Sequence, residues 1–209
     1  TASYAETRLA WEPIVDVTQI KGDSETHSKL SPNDDFADFE NYEYYIQVGK
    51  TEFMPREADF IRPALKAGLE IEKSVGVNPY KFGLIGSTDS HSGLSSPEES
   101  NFLGKFATDS TPETKQRLGG QLSANGWDMS ASGLAAVWAE HNTREEIFAA
   151  FKRREVYATS GPRIILQLYA GWFFPEGAEA SNDFSNIGSE YGVPMGGELV
   201  ATSEAQNSI

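Results

Sequence analysis

Short apolar runs alternate with polar stretches along the chain, and the pattern predicts strands joined by helices. Residues 14–20 are rich in β-branched side chains, which predicts a strand. Residues 55–75 carry apolar side chains at spacings of three and four, which predicts an amphipathic helix with a kink or break at Pro63. A second strand is predicted at residues 82–86, and the order strand, helix, strand is typical of a parallel α/β crossover.

The second half of the chain continues this alternation with longer polar insertions. A strand is predicted at residues 134–139, and a Thr-x-x-Glu capping box at residue 143 predicts a helix that runs to residue 154. Residues 164–170 are short, apolar and branched, which predicts an antiparallel strand. Residues 101–132 are rich in Gly, Ser, Thr and Asp, and predict a long loop with a short helix at 112–118.

Composition narrows the classes of protein that fit this pattern. The 209 residues are 39% hydrophobic and include no cysteine, which excludes disulfides, thiolate metal sites and a cysteine nucleophile. The net charge of -14 argues against nucleic acid and anionic membranes as partners. The chain has no apolar run of membrane-spanning length and no recognisable signal peptide, and its compartment stays open between periplasm and cytoplasm.

The strongest candidate chemistry follows the strand at residues 82–86. If the chain stays extended beyond that strand, Asp89 and His91 point the same way. One carboxylate and one imidazole aimed at the same point suit a borderline divalent metal such as Zn, Mn or Fe. The alternative is a hydrogen-bonded turn with His91 on the surface.

Similar polar groups follow two other predicted strands. Glu25 and His27 have the same i, i+2 spacing after the first strand, and Glu140 or His141 follows the strand at 134–139. If these strands are neighbours whose carboxyl ends share one edge, the polar groups meet at one metal site. A solvated loop at Glu25 and His27, and a structural role for His141, are the alternatives.

A tight turn at residues 160–163 offers a different kind of site. It brings the Ser160 hydroxyl and the Arg163 guanidinium to the end of a strand, where they could bind a carboxylate, phosphate or sulfate group. A structural salt bridge is the alternative for Arg163. The sequence has no Gly-x-Ser-x-Gly elbow, phosphate-binding P-loop or dinucleotide fingerprint, which argues against a serine hydrolase.

Five ordered motifs together resemble the domain-of-unknown-function 3604 family. They lie at residues 19–25, 86–91, 142–145, 157–163 and 192–197. That family is similar to the PHP (polymerase and histidinol phosphatase) superfamily, whose members use a distorted α/β barrel and divalent metals to hydrolyse phosphoesters. The resemblance implies that Asp89 and His91 are metal ligands, that Glu25 is a further carboxylate ligand, and that Arg163 contacts an anion.

The chain departs from the PHP pattern because it has neither the opening His-x-His strand nor the Asp-His pair that follows it. It therefore resembles the C-terminal portion of a longer protein with an incomplete metal site. The predicted fold class is α/β, with a partial PHP-like barrel over residues 1–170 and a β-rich or irregular tail over residues 171–209. Self-association that covers exposed strand edges is a further expectation.

The predicted function is a fragment of a divalent-metal-dependent, phosphoesterase-like hydrolase that acts on a small anionic substrate. Two alternatives stay open at this point. One is a non-catalytic module in which residues 160–163 hold an anion or another ligand, and the other is an inactive truncated remnant.

Overall fold

A computed structural model describes residues 1–47, 49, 51–93, 105–106, 111–115, 129 and 133–200. Five α-helices occur in this part of the chain: α1 Ala2–Trp11, α2 Ile61–Val75, α3 Pro112–Lys115, α4 Arg144–Arg153 and α5 Phe184–Tyr191. Two short 3-10 helices, Glu57–Asp59 and Ala178–Ala180, also occur there. Seven strands accompany them: β1 Ile14–Gln19, β2 Gly22–Asp23, β3 Gly83–Gly86, β4 Leu134–Val137, β5 Val156–Thr159, β6 Tyr169–Ala170 and β7 Val193–Pro194. The predicted loop at 101–132 lies mostly outside the described residues, and α3 falls within the short helix predicted there.

The first sheet has the order β2-β1-β3. β1 pairs with β3 in parallel, and helix α2 lies between them in the chain, as the alternating pattern predicts. β2 turns back antiparallel to β1, so that Thr18 lies opposite Asp23. The α/β class predicted from the sequence is confirmed.

Helix α2 begins later than its apolar pattern suggests. Phe60 is its N-cap, and Pro63 therefore falls in the first turn, where a missing N–H breaks no intrahelical bond. The predicted kink or break at Pro63 is wrong for this reason. The helix ends at Gly76, whose φ of 79° closes the last turn with a bond from its N–H to the Glu72 carbonyl.

A second, two-stranded sheet packs against the first. β4 and β5 pair antiparallel, with Leu134 opposite Thr159 and Val137 opposite Val156. An added Cβ on Gly86 would lie 2.9 Å from the backbone N of Leu134, so the two sheets meet backbone to backbone at this point. Helix α4 connects β4 to β5, and the Thr143 hydroxyl caps it by accepting from the Glu146 N–H, as the capping box predicts.

The C-terminal part differs from its predicted form. Only Tyr169–Ala170 of the strand predicted at 164–170 is a strand, and it pairs antiparallel with β7. Side chains hold the segment before it: the Tyr157 hydroxyl donates to the Ile164 carbonyl, and the Trp138 indole N–H donates to the Leu166 carbonyl. The tail at residues 171–209, expected to be β-rich or irregular, contains helix α5 as well as strand β7.

The described strands form three small sheets and do not close into a barrel. Ile20, Val17, Ala150 and Val156 are among the buried apolar residues. They belong to β1 and the turn after it, to α4 and to β5. No helix in the described part of the chain has both the length and the apolar character needed to cross a membrane.

Candidate functional site

Asp89 and His91 converge at the carboxyl end of β3. The Asp89 Oδ1 atom lies 3.2 Å from the His91 Nε2 atom, so the two side chains meet, although the chain does not stay extended and the His91 side chain is largely exposed, as the turn alternative expects. Asp89 has a φ of 45°, a left-handed conformation that is uncommon for a residue other than glycine. The role of the two residues as metal ligands stays a prediction.

Two lysines that the sequence motifs do not single out also reach Asp89. The Lys21 Nζ atom lies 2.8 Å from Asp89 Oδ2, at the tip of the β1–β2 hairpin. The buried Lys105 ammonium contacts the same carboxylate oxygen and donates to the Asp89 carbonyl at 2.6 Å. It also lies 3.0 Å from His91 Nε2. Lys105 arrives from a distant part of the chain, which no local pattern could predict.

These lysines keep Asp89 ionised. Burial raises the pKa of the Asp89 carboxyl, but hydrogen bonds from Lys105 and Lys21 outweigh that effect and lower the pKa to about 2. Burial also lowers the pKa of Lys105, although its bond to Asp89 acts in the opposite direction. The site therefore presents a carboxylate at any pH near neutrality.

Asp16 lies on the neighbouring strand and completes the strand-end cluster, which we define as Asp16, Lys21, Asp89, His91 and Lys105. The Ser87 hydroxyl donates to Asp16 Oδ2 at 2.6 Å. The other oxygen, Oδ1, is buried and has no hydrogen-bond partner among the described residues. Burial raises the pKa of Asp16, and the nearby charge of Asp89 adds to this effect. A polar residue inside the apolar β1 run is the sequence signal that could have identified Asp16.

Glu25 does not stay at the strand end, because the β1–β2 hairpin reverses the chain. The Ser24 N–H donates to the Val17 carbonyl at 2.7 Å, so this segment runs back along β1. The Glu25 carboxylate pairs with Arg62 Nε at 2.8 Å, at the start of α2. The predicted meeting of Glu25 with Asp89 does not occur among the described contacts, and its role as a ligand stays a prediction.

His27 is buried between aromatic rings and a polar pocket that Asp38, Asn41 and Glu43 also line. Its ring packs edge-on against Phe53 and Phe60, and its Nδ1 atom accepts from the Lys29 N–H at 3.1 Å. Burial lowers the pKa of His27, so the neutral imidazole is favoured. A neutral imidazole could still bind a metal, but the structure does not bring His27 to the strand-end cluster.

Glu140 and His141 leave the sheet at the edge opposite the strand-end cluster. β4 ends where Val137 faces Val156, and an added Cβ on Gly83, at the start of β3, would touch a methyl group of Val156. The residues after β4 therefore lie near the beginning of β3, away from Asp89. His141 is exposed and its carbonyl accepts from the Thr143 N–H, which suits the structural alternative.

Ser160 and Arg163 lie at the same edge as Asp89. β5 ends at Thr159, which faces Leu134, and the Leu134 backbone packs on Gly86 at the end of β3. The Arg163 guanidinium donates to the Thr159 hydroxyl at 3.1 Å. The turn predicted to hold an anion therefore lies at the edge that carries the strand-end cluster.

A groove of about 510 Å³ is lined by residues of β1, β3 and β5. Its walls are mainly apolar, with Asp23 and Glu25 among its acidic lining residues and Ser160 among its neutral ones. Arg154 also lines it, and the Nε atom of Arg154 is buried without a hydrogen-bond partner in the described part of the chain. Burial raises the pKa of the Asp23 carboxyl to about 6, although the Glu25 N–H bonds to it.

Replacing Asp23 with asparagine is expected to stabilise the protein at about pH 7. The folded-state pKa of about 6 exceeds the ordinary value of 3.8, so this carboxyl favours folding below pH 3.8 and loses that contribution as the pH rises through about 6. After allowance for partial exposure, the gain is about 1 kcal/mol. Urea unfolding at about pH 7 and about pH 4 measures it, since the gain should vanish in acid. The exposed Asp35→Asn is the control, and equal gains at both pH values would contradict the expectation.

In the described part of the chain, no group of three or more His, Asp or Glu residues has an arrangement that could hold a metal ion. Asp89 and His91 thus supply two metal donors. A complete metal site would need further donors that are not among the described contacts.

Comparison with protein families gave a match that covers the chain. The model described as "Protein of unknown function (DUF3604)" matches residues 1–209. No curated protein and no solved structure matched the chain.

Proposed function

The chain belongs to the DUF3604 family of unknown function, and from that premise we propose that it acts as a divalent-metal-dependent, phosphoesterase-like hydrolase. The observation that carries the proposal is the convergence of Asp89 and His91 on one cation, the Lys105 ammonium, at the end of β3. The likeness of the Asp89-Ser90-His91 motif to the PHP superfamily supports it. We propose a partial PHP-like barrel as the wider fold.

Two side chains of the cluster, Asp89 and His91, are of the kinds that bind a borderline divalent cation, although Lys21 and Lys105 contact the Asp89 carboxylate in this structure. A carboxylate oxygen and an imidazole nitrogen lie 3.2 Å apart, and both donors suit Zn, Mn or Fe. Asp16 Oδ1 is an orphaned buried acceptor on the adjacent strand, and Asp16 senses the charge of Asp89. Asp89 and His91 would hold the cation. Glu25 and His27 stay proposed ligands without a contact to this pair.

A bound divalent cation would supply activation of water and neutralisation of charge on a phosphoryl group. The residues of the chain would prepare the site for that chemistry. Lys21 keeps Asp89 ionised through its contact at 2.8 Å, and Ser87 orients Asp16 through its bond at 2.6 Å. Arg163 and Ser160, at the same edge, would bind the anionic part of the substrate.

The charge of the chain favours a small anionic substrate over a polymer. A net charge of -14 repels nucleic acid and anionic lipid, whereas Lys21, Lys105 and Arg163 provide local positive charge at the strand ends. A small anion needs only that local charge. A nucleic acid would meet the acidic surface as well.

Binding of zinc and manganese to the purified chain tests the proposal. We expect isothermal titration calorimetry to detect binding, and Asp89→Asn or His91→Gln to weaken it by about tenfold or more, because each variant loses a ligand. The controls are Asp35→Asn and His141→Gln, which change an exposed carboxylate and an exposed imidazole elsewhere. Equal affinity in all five proteins would refute the cation site.

A second candidate is a non-catalytic module that binds a ligand in the groove along β1, β3 and β5. The groove favours this candidate because Ser160 lines it and the buried Arg154 Nε has no partner among the described residues. Hydrolysis of p-nitrophenyl phosphate with added manganese or zinc distinguishes the two candidates. Metal-dependent turnover that Asp89→Asn abolishes supports the hydrolase, whereas absence of turnover together with ligand binding that depends on Arg163 supports the module.

A further inference from the structure

A polar cavity of about 330 Å³ lies beside His27. Its volume is at the small end of the range for ligand sites, about 300–1,000 Å³, and suits a molecule with a single ring. The side chains that line it include two carboxylates and two aromatic rings, from Asp38, Glu43, Tyr44 and Phe53. None of them belongs to the strand-end cluster or to the groove along β1, β3 and β5.

His27 brings a hydrogen-bond donor without a partner to this cavity. Only 8% of His27 is exposed. Its Nδ1 atom accepts from the Lys29 N–H, so the neutral ring carries its own proton on Nε2. Nε2 makes no hydrogen bond in the described part of the chain, although the ring lines the cavity. A buried donor of this kind requires an acceptor, and a ligand in the cavity can supply one.

Backbone contacts build one wall of the cavity. The Phe53 N–H donates to the Glu43 carbonyl at 2.8 Å, and Tyr44 forms an antiparallel bridge with Glu52. The Phe53 ring also packs edge-on against the His27 ring, with centroids 6.5 Å apart. The positions of the two aromatic rings and of Glu43 are therefore set by the fold.

The cavity has an excess of negative charge. The Lys29 Nζ atom pairs with Glu52 at 2.7 Å, whereas Asp38 and Glu43 have no ion pair among the described residues. Burial and the charge of Lys29 lower the pKa of His27, and the charge of Glu43 opposes them. The Glu43 carboxylate is thus within electrostatic range of the His27 ring.

A hydroxyl group satisfies these side chains because it both donates and accepts. An anion would be repelled by the carboxylates of Asp38 and Glu43, and an ammonium has no lone pair with which to accept from His27. A hydroxyl can accept from the Nε2–H and donate to a carboxylate. The Tyr44 and Phe53 rings can cover the apolar C–H face of a sugar ring.

We infer that this cavity binds a neutral polyhydroxyl ring such as a hexose, with His27 Nε2 donating to one hydroxyl and Glu43 accepting from another. The inference goes beyond the hydrolase proposed above and needs no metal. A nitrogen that carries a proton cannot bind a metal, so this role is an alternative to the metal-ligand role proposed for His27.

Saturation-transfer NMR on the purified chain, with EDTA present, tests the class of ligand. The probes are D-glucose, D-galactose and D-mannose, each compared with its amino sugar and its uronic acid. We expect at least one neutral hexose to bind, and its cationic and anionic counterparts to bind several-fold more weakly. Absence of binding by all three hexoses overturns the inference, and so does tighter binding of an amino sugar or a uronic acid.

His27→Phe and Glu43→Ala test the two hydrogen bonds. We expect each variant to bind the hexose about tenfold more weakly, because each loses one bonding group. His141→Phe and Glu6→Ala change exposed residues elsewhere and should bind like the wild type. Circular dichroism checks the fold of each variant. Glu43 is exposed, so Glu43→Ala keeps the test decisive if His27→Phe does not fold.

The outcomes separate this inference from the proposed function. Unchanged hexose affinity in Glu43→Ala, or in folded His27→Phe, overturns the sugar site and leaves the hydrolase proposal standing. Hexose binding in EDTA that Glu43→Ala weakens supports the sugar site even if the chain binds neither zinc nor manganese.

Discussion

Alanine in place of Gly133 is expected to destabilise the protein by about 3 kcal/mol, near the upper end of the range for overpacked sites. The added Cβ would lie 2.8 Å from the Ser87 carbonyl oxygen and 2.9 Å from the Ser87 N, and it would also collide with the Thr18 carbonyl. All three atoms belong to the backbone of β1 and the residue after β3, so none can rotate away. Urea unfolding followed by circular dichroism measures the change.

Gly161→Ala is the matched control for Gly133. No atom lies within 4 Å of the position that its Cβ would take, so we expect a change within about 0.5 kcal/mol. Equal unfolding midpoints for Gly133→Ala and wild type would show that the backbone just before β4 is not tightly packed against the ends of β1 and β3. The substitution should also disturb the bond from Ser87 to Asp16, because Gly133 touches the Ser87 backbone.

Replacing Ile20 with alanine is expected to cost about 3 kcal/mol of folding stability, as for other fully buried isoleucines. Only 1% of Ile20 is exposed, and it is the largest fully buried side chain in the described part of the chain. It lies in the β1–β2 turn next to Lys21, so the cavity would loosen the hairpin that carries Lys21 to Asp89. Urea unfolding monitored by tryptophan fluorescence measures the loss.

Two other isoleucine substitutions test whether the expected loss of stability comes from the burial of Ile20. Ile20→Val removes one methylene and should cost about 1 kcal/mol. Ile165→Ala alters a side chain that is 84% exposed, and should change stability by less than about 0.5 kcal/mol. Equal losses for Ile20→Ala and Ile165→Ala would contradict a core position for Ile20.

The β1–β2 hairpin decides which predicted ligands reach the strand ends. The sequence shows the same i, i+2 spacing at Glu25–His27 and at Asp89–His91, and the spacing alone does not distinguish the two pairs. In the structure the chain reverses at Ile20 and Lys21, and the pairing of Thr18 with Asp23 carries Glu25 back along β1. Gly22, with a φ of 109°, is the local signal for that reversal.

Helix predictions were most accurate where a cap and a periodic face agreed. Thr143 begins α4 and Gly76 ends α2, both at the predicted positions, because their capping bonds are local. The strand at 164–170 was overestimated because the side chains of Trp138 and Tyr157 occupy carbonyls that a neighbouring strand would otherwise bind.

The sequence by itself determined the α/β class and the main helices and strands, and it singled out Asp89 and His91 as a pair. The class and the elements depend on hydrophobic periodicity, whereas Asp89 meets His91 through a left-handed turn and not along an extended strand. Only the tertiary structure decided that Lys21, Lys105 and Asp16 join the pair while Glu25, His27 and His141 do not. Those contacts depend on which backbones lie side by side, and that is set by long-range packing such as the approach of Gly133 to Ser87.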